Sequence, residues 1–148
     1  MKRKFLVAFV LSTMFFSSCM TSRAHLLYSD IKSENLNFKI SSIESDFDGM
    51  KNPVVEEQVA VIAKSLIDSA GMKNRVPVNL EIKIFEKNYL CDIQYVRSIF
   101  LCCSLFDEDD NELAVFSEFS TGNDTFNSPS VQEKFLKKCI AEIKKMEL

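Results

Sequence analysis

VPVNLEIKIFEK, residues Val76 to Lys87, decides the fold. Val78, Leu80, Ile82 and Ile84 alternate with Asn79, Glu81 and Lys83. A period of two places the first set on one side of an extended chain and the second set on the other. The segment predicts a strand with one buried face. Any helix in the same domain must bury its own apolar stripe against that face.

Upstream, Asn52-Pro53 offers a helix cap followed by proline at the first helical position, with Glu56 and Glu57 near the positive end of the dipole. Val55, Val59, Ile62, Leu66 and Ala70 then recur at three- and four-residue steps, and Gly71 supplies a stop. Before this helix, LNFKISSI (Leu36 to Ile43) alternates at Leu36, Phe38 and Ile40 and then slips to Ile43, which predicts a first strand. Downstream, DIQYVRSIFLCCSLFDEDD predicts a long strand from about Ile93 to Phe106 and an acidic turn, and ELAVFSEF predicts a further strand. Ser128-Pro129 opens a second amphipathic helix through Val131, Phe135, Leu136, Cys139, Ile140 and Ile143. Lys137, Lys138, Lys144 and Lys145 fall in its later half, where cations suit the dipole.

The order is strand, helix, three strands, helix. The expectation is an α+β domain over residues 36–148: a single mixed, mostly antiparallel four-stranded sheet with two helices on one face. A crossover through the first helix joins the first two strands, and hairpins join the others.

The chain starts differently. Lys2, Arg3 and Lys4 precede the nearly uncharged run Phe5 to Phe16. As a helix that run reaches only ~18 Å, short of a ~30 Å hydrocarbon core. Residues 1–18 therefore fit a secretory signal peptide. Its end, FSSC (Phe16 to Cys19), resembles the bacterial lipobox, although Phe16 stands where an aliphatic is usual. The resemblance implies that Cys19 is lipidated and becomes the N-terminus, with residues 19–35 as a tether. Cleavage after Ser22-Arg23-Ala24 is the alternative. Met20 is not an aspartate, which by resemblance to lipoprotein sorting rules points to the outer membrane.

Taking the three leader bases from 18 leaves 15 Lys+Arg against 21 Asp+Glu, a formal charge of −6. That balance provides no basic stripe for phosphates and argues against a nucleic-acid partner. His25, the only histidine, lies in the tether, so neither a nucleophilic triad nor a histidine zinc site is expected in the domain. No catalytic residue and no cofactor are assigned, although a carboxylate pair for hydrolysis is not readable from sequence. Cys91, Cys102, Cys103 and Cys139 are read as buried free thiols or as one bridge from Cys139 to Cys102 or Cys103. Cys91 and Cys102, placed on one extended strand, are too far apart to pair.

Asp107, Asp109, Asn111 and Glu118 fall at positions 1, 3, 5 and 12 of a calcium-loop pattern, but Glu112 replaces its glycine. A charged hairpin tip is the simpler reading, and calcium at Asp107, Asp109 and Asn111 is the alternative. The strands also carry many aromatics. If Val78, Leu80, Ile82, Ile84, Ile99, Leu101 and Val115 face the helices, alternation sends Phe85, Phe100, Phe106 and Phe116 to the opposite face as a candidate partner surface. Arg97 falls in the helix-facing register, a departure from clean alternation.

The element order, the VNLEIKIF strand, the SLFDEDDNELAVFSEF hairpin and the closing Lys-rich helix together resemble the lipopolysaccharide-assembly lipoproteins and the related curli-secretion lipoproteins. What this implies is a non-enzymatic binding or scaffolding component of an outer-membrane assembly. Its expected partners are the membrane, through lipid on Cys19, and an envelope protein or lipid. The alternative is a secreted ligand- or calcium-binding domain.

Overall fold

The computed structural model describes residues 23–29, 36–70 and 76–145. The expected leader and Cys19 lie outside the described residues. Strands β1 (Arg23–Ser29), β2 (Leu36–Phe47), β3 (Val76–Cys91), β4 (Gln94–Phe106) and β5 (Glu112–Gly122) form one sheet in the order β1-β5-β4-β3-β2. Helix α1 (Pro53–Ser69) lies between β2 and β3, and α2 (Pro129–Lys145) follows β5. From Leu36 onward this is the expected α+β order. The pairing of β2 with β3 is parallel and the other three pairings are antiparallel.

The fifth strand, β1, corrects the expected tether. Arg23–Ser29 has little periodicity of its own and pairs antiparallel along the edge of β5. Backbone hydrogen bonding to an open sheet edge needs no side-chain alternation, which is why the segment did not read as a strand.

Local signals account for the other elements. The pairing of β2 with β3 shifts between Ile40 and Ser42, so Ser41 is an extra residue. That bulge is the slip in LNFKISSI, and beyond it Ile43, Ser45 and Phe47 oppose the inward residues Ile82, Ile84 and Glu86. The Asn52 side chain caps α1 by accepting from the Val55 amide at 3.3 Å. Glu56 in the first turn also accepts from the Ser45 amide at 3.0 Å and its hydroxyl at 2.7 Å, fastening the helix start to β2.

One core fills the space between the helices and the sheet. Ile82, Ile84, Leu101 and Leu105 are fully buried beneath Val59, Ala63, Phe135, Leu136 and Ile143. Each buried aliphatic or aromatic side chain of this kind contributes about 1.5–3 kcal/mol. Phe126, in the connection before α2, sets its ring edge against Phe135, with centroids 5.6 Å apart at 85°.

Candidate functional site

With both helices on one side, the other face of the sheet has no covering layer among the described residues. Across it, Phe85, Phe100 and Phe119 occupy one row of β3, β4 and β5, continuing to Asp46 on β2 and Arg23 on β1 in the pairing register. The Phe85 and Phe100 rings meet with centroids 6.1 Å apart, tilted by 43°. Phe85 and Phe119 keep 37% and 42% of their surface exposed, and Phe100 is half-buried between them. Phe106 is half-buried at the far end of β4, near Ser41, Asn79 and Asp110 in a shallow hollow.

Phe85, Phe100 and Phe106 thus lie where alternation sends them, and Phe116 does not. Phe116 opposes Cys103 in the helix-facing register and is buried at 2% exposure. Val115 correspondingly faces outward beside Ser104 and is only half-buried. Strand β5 is one residue out of the expected register, because ELAVFSEF carries no clean period of two. Its inward set, Ala114, Phe116, Glu118 and Ser120, contains two polar residues. Phe119 therefore completes the exposed row.

The inward Glu118 is only 1% exposed, and its Oε1 is ion-paired with the Lys138 ammonium from α2, while Oε2 has no hydrogen-bond partner. This position removes Glu118 from the calcium pattern. At the turn, Asp107 Oδ1 accepts the amides of Asp109 at 2.9 Å and Asn111 at 2.8 Å, and Oδ2 accepts Asn111 Nδ2 at 2.9 Å. The Asn111 side chain and backbone donors, in that order, hold the Asp107 carboxyl below its ordinary pKa. Asp107 and Asn111 thus close the hairpin on each other, and among the described residues no three acidic, histidine or cysteine side chains converge as metal ligands.

Glu86 and Arg97 are a second inward-facing polar pair that sequence reasoning did not join. Glu86, 3% exposed, accepts from the Phe126 amide at 2.6 Å and from the Thr125 hydroxyl at 3.1 Å. Arg97 Nε stands 3.0 Å from Glu86 Oε1, and Nη1 donates to the carbonyls of Asn123 and Asp124 at 3.3 Å each. Asn88 links Arg97 to Asp48, whose carboxyl is held below its ordinary pKa by the Asn88 amide and side chain. These groups are committed to each other and to the backbone. They clasp the connection between β5 and α2 to the sheet.

Cys91 and Cys102 are not on one strand. Cys91 ends β3, exposed at the hairpin tip, and Cys102 lies eight positions along β4 from Gln94, the residue paired with Cys91. Cys103 and Cys139 are buried together between β4 and α2, and all four thiols are free. The hydrogen bond with Cys103, and then burial, push the Cys139 thiol well above its ordinary pKa. Burial does the same, more weakly, to Cys102.

No family model matches the chain, and no curated protein matches it. Among solved structures it is similar to the PelC dodecamer from Paraburkholderia phytofirmans, at 12% identity and a TM-score of 0.48 over 80% of this chain and 92% of that one. A single-substitution variant of the same dodecamer gives 14% identity and a TM-score of 0.47 over the same shares.

Proposed function

We propose that this chain is a lipid-anchored, non-enzymatic component of a bacterial envelope assembly, held at the outer membrane through Cys19 and working by presenting the open face of its sheet to a partner. The observation that carries the reading is the uncovered row Phe85–Phe100–Phe119. Apolar rings on an uncovered sheet face gain free energy when a second surface removes them from water. The buried polar groups nearest the same sheet, Glu86 with Arg97 and Glu118 with Lys138, are engaged in holding the fold.

Strand β1 supports anchoring at Cys19 over cleavage after Ala24. The latter cut falls inside the strand and removes Arg23 and Ala24, the partners of Phe119 and Glu118. Processing at Cys19 keeps the whole strand and a short lead.

Site-specific photo-crosslinking from position 100 of the full chain in cells tests the reading. The expected result is a membrane-fraction adduct that disappears in the Phe119→Asp variant, with the fold retained because Phe119 is exposed. Absence of any adduct, or one indifferent to Phe119→Asp, contradicts it. An adduct of twice the chain mass identifies the partner as a second copy.

A further inference from the structure

The two hairpins of the sheet have opposite characters. At one end, β3 and β4 run on past their neighbours: β2 pairs with β3 only as far as Glu86, and β5 with β4 only as far as Arg97. The rungs Tyr89↔Val96, Leu90↔Tyr95 and Cys91↔Gln94 therefore project alone. This tip is apolar on both of its faces. Tyr89 is 51% exposed, Leu90 63%, Ile93 92% and Tyr95 73%. At the other end of β4, the turn carries Asp107, Glu108, Asp109 and Asp110 in succession. The 13 residues of β4 separate the two ends by about 40 Å.

Strand β1 connects the N-terminus to the apolar end. Arg23 lies opposite Phe119, and β1 is antiparallel to β5, so β1 begins at the end nearer Gly122 of β5, the side of the projecting hairpin. Cys19 is four residues before Arg23, a reach of at most about 14 Å. The hairpin rises about 20 Å from the Phe100 row to Gln94, before its turn. The tip thus overtops the longest reach of Cys19. With the strands standing upright on a bilayer that receives lipid at Cys19, the hairpin tip is the part of the sheet nearest that bilayer.

We infer that the β3–β4 hairpin tip, through Tyr89, Leu90, Ile93 and Tyr95, enters the headgroup region of the bilayer that holds Cys19, fixing the domain upright with its acidic turn pointing away; this rests on the anchoring reading above. Tyrosine suits that depth because its ring is apolar and its hydroxyl remains wet. Leu90 and Ile93 supply the apolar contact of an interfacial element. Asp92, in the left-handed conformation at the turn with φ of 56°, limits entry to the headgroups because a carboxylate is costly deeper. The acidic turn at the far end is kept from an anionic lipid surface by like-charge repulsion.

The chain contains no tryptophan, so Ile93→Trp provides a single fluorescent reporter at the most exposed tip position. The full chain is purified from bacterial membranes and returned to phosphatidylethanolamine–phosphatidylglycerol vesicles brominated near the headgroup end of the acyl chains, with intact mass measured on the same preparation. Leu90→Trp serves as a second reporter. The expected result is an acylated chain with blue-shifted emission that brominated lipid quenches. Acylation with red, unquenched emission from both reporters overturns the hairpin proposal and leaves the anchor standing. Quenching without acylation upholds the hairpin contact and removes the anchor. Neither acylation nor quenching overturns both.

Discussion

Arg97 Nε lies 3.0 Å from Glu86 Oε1, joining two charged side chains on the inward face of two strands whose other buried inward residues are apolar. The carboxylate also takes the Phe126 amide, so one buried group positions the sheet, the connection before α2 and the start of that helix. Arg97→Ala leaves the carboxylate short of its charged partner and frees the carbonyls of Asn123 and Asp124. The expected loss is about 2–4 kcal/mol in urea unfolding, below the extreme for fully buried pairs because Arg97 is partly exposed. Arg97→Lys should recover only part of it, since an ammonium cannot span the same acceptors. A change within about 0.5 kcal/mol for Arg97→Ala, the range of an ordinary surface substitution, contradicts the clasp.

Lys138 and Glu118 form the second test of buried charge. Lys138→Met strands a carboxylate that already has one oxygen without a hydrogen-bond partner and should destabilise the fold by about 3 kcal/mol. Adding Glu118→Leu should return stability to within about 1 kcal/mol of the parent or above it, because an apolar pair of similar volume avoids desolvation. Additive losses in the double variant, measured by the same urea transitions, speak against this pairing.

The thiols should separate by burial. Pulse labelling with a maleimide, read by peptide mass spectrometry, is expected to modify Cys91 first, Cys102 slowly, and Cys103 and Cys139 only on unfolding. Mild alkali should not expose Cys139 to labelling, because its folded-state thiol titrates well above the ordinary value. Prompt labelling of Cys139 in the folded chain contradicts the packing of α2 on β4.

The acidic turn carries a pH signature. Asp107 titrates below its ordinary value of 3.8, so its contribution to the turn is complete above that value and is lost as pH falls through the lower folded value. The Asn111 amide resonance, followed from about pH 5 to about pH 2, should therefore shift with a midpoint below 3.8. A midpoint at or above 3.8 rules out the Asp107–Asn111 closure.

Much of the domain was legible because its elements announce themselves by period. Val78 to Ile84 alternates strictly, α1 has a cap and proline at its start, and even the bulge at Ser41 showed as a slip from Ile40 to Ile43. What stayed hidden depended on long-range partners. No sequence pattern joins Glu86 to Arg97 or Glu118 to Lys138, pairs that only the fold brings together. The same inward glutamate disguised the register of β5, so Phe116 was exchanged for Phe119 in the exposed row. Strand β1 was missed because its order comes from the free edge of β5 rather than from its own pattern.

Lipid on Cys19 is proposed to hold the domain to a membrane, with the open sheet face directed at an envelope partner. Intact-mass analysis of the native product extracted from bacterial membranes tests it most directly. The expected product is a chain beginning at Cys19 and heavier than its polypeptide by the mass of attached acyl groups. An unmodified chain beginning at His25 would contradict it.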